Sequence, residues 1–324
     1  MKNEKFKMKN ELSYQNLKVV VLAGGVGGAK MVNGLAQLVA PENLFIIANT
    51  ADDFEHLGLH ISPDLDTLMY TLAGLNNPQT GWGRQGESWQ TLNALAQLGG
   101  PTWFNLGDKD LATHLLRTQW KRSGYPLSWI TAQFCRRLKI GPTLVPMTDS
   151  PVHTLVHTDQ GKLPFQEYFV RRQSQPIVQK IEFQGAAEAE INRDIISAIR
   201  MADLIVFAPS NPLLSLDPIL ALPGVRRILS ASQTTKIAVS PIIGGQAVKG
   251  PAAKIMSELG MEVSAFGVAR YLQDLLTGFV FDAADEIHRE RIAGLGLNTL
   301  MTNTLMKSVE DQTRLAKELL AFGH

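Results

Sequence analysis

The chain has 324 residues, 45% of them hydrophobic and 19% charged, and its 31 basic and 30 acidic side chains leave a formal net charge of +1. These values fit one large packed domain, alone or with an insertion. The balanced charge excludes a global field that would recommend a nucleic-acid or membrane partner, so any anion site has to be built locally.

Residues 1–17 are polar and lysine-rich, with no apolar run that could form a signal-peptide core. They are expected to be a disordered lead-in. No stretch approaches the roughly 18 apolar residues of a membrane span, and the single cysteine, Cys135, excludes an intramolecular disulfide. Together these features predict a soluble, cytoplasmic protein. Cys135 sits in a helical pattern and is expected to be a buried structural thiol.

The first ordered element is a β-branched run over 18–23, the pattern of a strand buried on both faces, and it stops at Gly24-Gly25-Val26-Gly27-Gly28. Helical spacing follows over 29–39, then a second buried strand over 44–48. Residues 84–140 contain three amphipathic helices, predicted at 87–98, 109–122 and 127–138. Residues 150–175 predict a β-hairpin, with arms at 154–157 and 165–170. Buried strands resume at 203–208, 236–240 and 279–281, and a helix over 309–321 closes the chain. The order predicts an α/β fold: a Rossmann-like, doubly wound, mostly parallel sheet in one discontinuous domain over 18–324, with a helical and a small β insertion.

Ligands of open parallel sheets sit where strand ends meet the following helices, and three such junctions are unusual. At the glycine turn, backbone N–H groups can approach phosphate oxygens, helped by the helix N-terminus. The Walker pattern fails because Met31 follows Lys30, and the dinucleotide fingerprint fails because Lys30 stands where its third glycine belongs. A turn that only packs strand on helix competes with a diphosphate site, and the lysine beside four glycines favours the latter.

The second junction is Asn49-Thr50-Ala51-Asp52-Asp53, followed by Ser62-Pro63-Asp64-Leu65-Asp66-Thr67. Adjacent carboxylates repel unless a cation offsets them, and a hard Mg²⁺ shared with substrate phosphates would do so. A solvated loop with Ser62 or Asp64 as a helix cap is the plainer alternative. The third junction comprises Pro209-Ser210-Asn211-Pro212 and Pro241-Ile242-Ile243-Gly244-Gly245, which would suit a purine edge or a phosphate, or ordinary turns. The pairs His56/His60 and His153/His157 lack the companions a zinc site needs.

These junctions, with Leu106-Gly107-Asp108-Lys109-Asp110-Leu111-Ala112-Thr113-His114, resemble the 2-phospho-L-lactate transferase family at compatible separations over 19–306. The resemblance implies a donor in which guanosine diphosphate carries a phosphorylated three-carbon acid, lactate or enolpyruvate. It implies as acceptor the deazaflavin FO (7,8-didemethyl-8-hydroxy-5-deazariboflavin), whose ribityl hydroxyl attacks phosphorus and releases GMP. The product belongs to coenzyme F420 biosynthesis.

On that resemblance, Gly24, Gly25, Val26, Gly27, Gly28 and Lys30 hold the diphosphate, and Ser210, Asn211, Pro212, Gly244 and Gly245 clasp the guanosine. Asp52 or Asp53 binds Mg²⁺, the catalytic carboxylates are Asp66 and Asp53 with the base either Asp66 or one of the Asp52/Asp53 pair, and Asp66, Thr67, Lys109 and His114 receive FO. Lys109 is a departure, since the family often has arginine there. A homodimer is the assembly the family suggests. Two rival readings are a UDP-sugar-binding regulatory protein of the same fold and an NAD-dependent dehydrogenase.

Overall fold

The structure, a computed structural model, describes residues 14–324. Of the expected lead-in, residues 1–13 lie outside the described residues. Tyr14 and Leu17 are ordered and buried against the core.

The central sheet has seven strands: β1 (Val19–Ala23), β2 (Leu44–Ala48), β3 (Thr143–Pro146), β4 (Leu204–Phe207), β5 (Thr235–Val239), β6 (Gly278–Asp282) and β7 (Asn298–Thr302). Their spatial order is β3-β2-β1-β4-β5-β6-β7, and every pairing is parallel. The chain winds outward from β1 in one direction, returns, and winds outward from β4 in the other. The crevice between the C-terminal ends of β1 and β4 is therefore the switch point, where open sheets of this kind bind ligands.

All five residues of β1 are buried, and the sheet's alternation sends them to two different cores. Val20 and Leu22 join Phe207, Phe279 and Phe281 on one face. Val19, Val21 and Ala23 join Val206 and Val280 on the other, under helix α1 (Gly25–Ala36) and the C-terminal helix Val309–Gly323. Helices α2 (Pro63–Leu72), α3 (Gln90–Gln97), α4 (Asp108–Arg122) and α5 (Leu127–Arg137) lie between β2 and β3 in the chain. Cys135 of α5 is buried, and burial pushes its thiol up to about 12. No helix among the described residues is long and apolar enough to cross a membrane.

Three details differ from the sequence expectations. Helix α1 starts at Gly25, four residues before the apolar pattern begins, because the glycines themselves form its first turn. The second hairpin arm expected at 165–170 is a helical turn instead. Phe165 and Phe169 stack at 5.4 Å and Tyr168 is fully buried, which is helical rather than alternating spacing. The β insertion is a three-stranded antiparallel sheet of His153–Thr158, Gly161–Pro164 and Val178–Gln184. The third difference is that β3 and β7 escape the buried-strand pattern because they are the sheet's edges; β3 ends in Pro146, which an edge tolerates.

The loop after β4 leads into the short helix Asp217–Leu220, which is tied to the helix Ala265–Leu272 by a hydrogen bond from the Tyr271 hydroxyl to the Asp217 carboxylate. Burial pushes the Asp217 carboxyl up to about 6. Its folded value is thus above its unfolded one, so ionisation costs stability as pH rises from about 4 towards 7. Asp217→Asn should therefore gain on the parent across that window, by on the order of 2 kcal/mol at neutral pH. Urea titrations at pH 5 and pH 7 check this; a constant difference between the two proteins would refute it.

Candidate active site

A cavity of about 630 Å³ opens at the β1–β4 switch point. Its walls are the glycine turn, the start of α2, the loops after β4 and β5, and a set of aromatic residues including Trp82, Trp103 and Phe104.

The glycine turn is held closely. The Ser210 hydroxyl accepts from the Gly24 amide at 3.3 Å and donates to the Gly24 carbonyl at 2.8 Å. Gly25 adopts a left-handed φ of 62° and donates its amide to Asp64 Oδ1 at 2.8 Å. A Cβ on Gly27 would lie 2.2 Å from the Pro209 carbonyl oxygen. Packing accounts for Gly24, Gly27 and Gly28, whereas at Gly25 a Cβ would meet nothing within 4 Å.

Beside the turn stands an acidic wall. Asn49 donates to Asp52 Oδ2 at 3.2 Å and Asp64 Oδ2 at 2.9 Å, joining the two loops. Pro63 opens α2, and neither Ser62 nor Asp64 caps it: Ser62 Oγ donates to Asp53 Oδ2 at 2.6 Å, while Asp64 faces the turn. Burial and the charge of Asp64 push the Asp52 carboxyl well up. Burial lifts Asp64 to about 6, against the hydrogen bonds from Asn49 and Gly25. Asp52 lines the cavity; Asp53 lies behind it, with His60 Nε2 3.1 Å away. Oδ1 of Asp52 and Oδ1 of Asp53 are both buried without a partner. Orphaned carboxylate oxygens crowded by like charge are suited to a hard, oxygen-seeking divalent cation.

Further along α2, Asp66 meets a buried network from α4. The fully buried Arg117 guanidinium forks onto Asp66, reaching Oδ2 at 2.9 Å with one nitrogen and pairing with Oδ1 through the other. Arg117 Nη1 also lies 3.2 Å from His114 Nδ1. Arginine can only donate, so Nδ1 accepts and the ring proton sits on Nε2, 3.2 Å from Asp110 Oδ2. Tyr70 donates to Asp110 Oδ1 at 2.6 Å. Burial raises the Asp66 carboxyl above its usual range, and the Arg117 and His114 charges offset that rise only in part. A guanidinium does not lose its proton in a protein, so the pair keeps Asp66 charged. Oxygen and nitrogen atoms of Asp66, Asp110 and His114 also lie within 4.8 Å of one another. With Arg117 already among them, a cation there would meet repulsion; hydrogen bonds from Arg117 and Tyr70 hold the two carboxylates, while His114 Nε2 is buried without a hydrogen-bond partner.

The family model for 2-phospho-L-lactate transferase CofD matches residues 19–302. The chain belongs to that family. It is an enzyme, a transferase. Over 310 residues it is 40% identical to a phosphoenolpyruvate transferase of Streptomyces griseus subsp. griseus, covering 94% of this chain and 98% of the relative. Over 299 residues it is 37% identical to a 2-phospho-L-lactate transferase of Methanosarcina acetivorans, covering 92% and 97%. The crystal structure of protein BH3568 from Bacillus halodurans shares the fold with a TM-score of 0.60 at 15% identity, over 94% of this chain and 99% of that one.

The residues expected from the CofD resemblance are unevenly placed. Gly24, Gly25, Val26, Gly27, Lys30, Asp52, Asp66, Thr67, His114, Ser210 and Asn211 line the cavity. Gly28 and Pro212 are packed behind it. Gly244 and Gly245 do not line it, because Asp285 draws the Gly244 amide away at 3.1 Å; Pro241, Ile243 and residues 248–252 form that wall instead. Lys109 is exposed, with its amine on the Gln85 carbonyl at 3.3 Å, and does not line the cavity. Asp64 and Asp110 line it and Arg117 supports it, although sequence reasoning named Asp64 only as an alternative helix cap and gave Asp110 and Arg117 no role. Asp110, His114 and Arg117 recur at i, i+4 and i+7 of α4, a one-face spacing that would have marked the last of them.

Proposed function

We propose that the enzyme transfers a phospholactyl or phosphoenolpyruvyl group from a guanosine diphosphate-linked donor to the ribityl hydroxyl of FO, releasing GMP, in coenzyme F420 biosynthesis. The observation that carries the reading is one cavity with a glycine turn and Lys30 on one wall and Asp52, Asp64 and Asp66 on another, in a chain of this family. Phosphoryl transfer asks chiefly for positioning and charge stabilisation, and both walls fit that demand.

In this reading the diphosphate lies over the first turn of α1 and the guanosine against the loops after β4 and β5. The tricyclic acceptor suits the aromatic wall, where Trp103 and Phe104 pack edge to face at 5.7 Å. Asp66, fixed by Arg117, accepts a hydrogen bond from the ribityl chain and orients its hydroxyl. That oxygen bonds to the phosphorus bearing the three-carbon acid, the bridging P–O bond breaks, and the electron pair leaves with GMP. The attacking hydroxyl's proton passes to a carboxylate of the acidic wall. Asp66 is the weaker acceptor for it, because both its oxygens are engaged by Arg117. Asp52, with Asp53 behind it, would hold Mg²⁺. When bound, that ion would offset charge on the phosphates.

The experiment mixes enzyme, donor, FO and Mg²⁺ and follows GMP by chromatography. GMP release that requires FO supports the reading; no release with either donor acid refutes it. Asp66→Asn should weaken FO binding by at least about tenfold while GDP binding stays within about twofold. Equal losses would show that Asp66 does not belong to the acceptor site. Thermal stabilisation by UDP-N-acetylglucosamine and none by GDP would favour the UDP-sugar reading.

A further inference from the structure

The glycine turn carries less positive potential than its sequence suggests. Its first two amides are already spent, Gly24 on Ser210 and Gly25 on the Asp64 carboxylate. Asp52, Asp64, Asp66 and Asp110 all line the cavity, and Arg117 is committed to Asp66. A diphosphate entering here would meet more anions than cations unless other positive groups serve it.

Two lysines on the cavity wall are available. Lys30, from α1, donates to the Met306 carbonyl at 2.6 Å. Lys249, in the loop after β5, donates to the Thr80 carbonyl at 2.5 Å. Among the described residues neither amine has a carboxylate at ion-pair distance. The segment holding Lys249 sits over the first turn of α1: a Cβ on Gly81 would lie 2.5 Å from Val26 Cγ1 and 3.2 Å from the Lys249 amine. Burial, then the proximity of Lys249, pulls the Lys30 amine below its usual range. Two like charges whose hydrogen bonds go to neutral carbonyls repel each other, Asp311 offsetting Lys30 only in part, and an anion between them removes that repulsion.

We infer that Lys249 is the second jaw of an anion clamp, closing with Lys30 on the phosphate oxygens of the donor's diphosphate. On binding, the amines exchange the Thr80 and Met306 carbonyls for charged oxygens, which make stronger hydrogen bonds. The clamp rests on the donor reading above and adds to it a residue outside the glycine turn. Lys249 is exposed and anchors no core contact, so its substitution leaves the fold intact.

The test compares the parent with Lys249→Met and Lys249→Arg by calorimetric titration with GDP, guanosine, FO and inorganic pyrophosphate. Lys249→Met should bind GDP about tenfold or more weakly, with a shallower dependence on salt. Guanosine and FO should bind it as they bind the parent, and Lys249→Arg should recover most of the GDP affinity. Unchanged GDP affinity in Lys249→Met, with a parent that binds GDP, overturns the clamp and leaves the donor reading standing. A parent that ignores GDP overturns the donor reading, and pyrophosphate then decides the clamp. Pyrophosphate binding that falls in Lys249→Met supports it; binding that is equal in the two proteins, or absent from both, overturns it.

Discussion

Arg117→Met should destabilise the enzyme by about 3–5 kcal/mol, because it leaves the Asp66 carboxylate buried without a partner. The loss has a pH signature. Burial already holds the Asp66 carboxyl above its unfolded value in the parent, and without the guanidinium it rises further, so the added penalty is full at neutral pH and fades as pH falls through the raised value. Guanidinium titrations at pH 7 and pH 5 should show the variant approaching the parent at the lower pH. Arg117→Met combined with Asp66→Asn should recover much of the stability, since removing both charges removes the uncompensated one. The doubly substituted protein would still lack acceptor binding. A single variant as stable as the parent at pH 7 would mean that the pair carries no such charge.

Gly27→Ala is the second large effect. Its methyl group would lie 2.2 Å from the Pro209 carbonyl oxygen, far inside contact distance. The obstacle is backbone, so no side chain can rotate aside. Either α1 or the loop after β4 has to move, and that loop carries Ser210, which bridges both backbone groups of Gly24. Overpacking of this kind costs about 1–3 kcal/mol or more, and the displaced turn should abolish stabilisation by GDP. Gly25→Ala makes the matching control for stability, though not for binding, since Gly25 faces the cavity: its φ of 62° costs about 1–2 kcal/mol, but a Cβ there meets no protein atom within 4 Å. Thermal melts without ligand separate strain from overpacking, and melts with GDP test Gly27→Ala. Retained GDP stabilisation in Gly27→Ala would contradict the packing account.

The sheet was legible where strands are buried on both faces. The apolar runs at β1, β2, β4, β5 and β6 stand out because each of their apolar side chains joins one core or the other. β3 and β7 did not stand out, since an edge strand relaxes that demand. The carboxylate loops were legible because adjacent aspartates are costly without a reason. Arg117 was not, because an arginine in a helix reads as a solvated charge until the fold buries it beside Asp66. Lys249 stayed hidden for the opposite reason: its loop has no periodicity, and only the fold brings it over α1. Gly244 and Gly245 read as ligand-facing because turn glycines often are, whereas the partner of the Gly244 amide, Asp285, lies far along the chain.

The bond from Lys30 to the Met306 carbonyl joins α1 to the loop before the C-terminal helix. During synthesis, at roughly 5–20 residues per second, Met306 leaves the ribosome on the order of half a minute after the glycine turn. Until then the cavity lacks a wall, and substrate has no completed site to reward. The nascent chain must protect its half-built sheet without ligand, and β1 waits with an open flank until β4 is made. Substrate enters the stability balance only once that wall is in place.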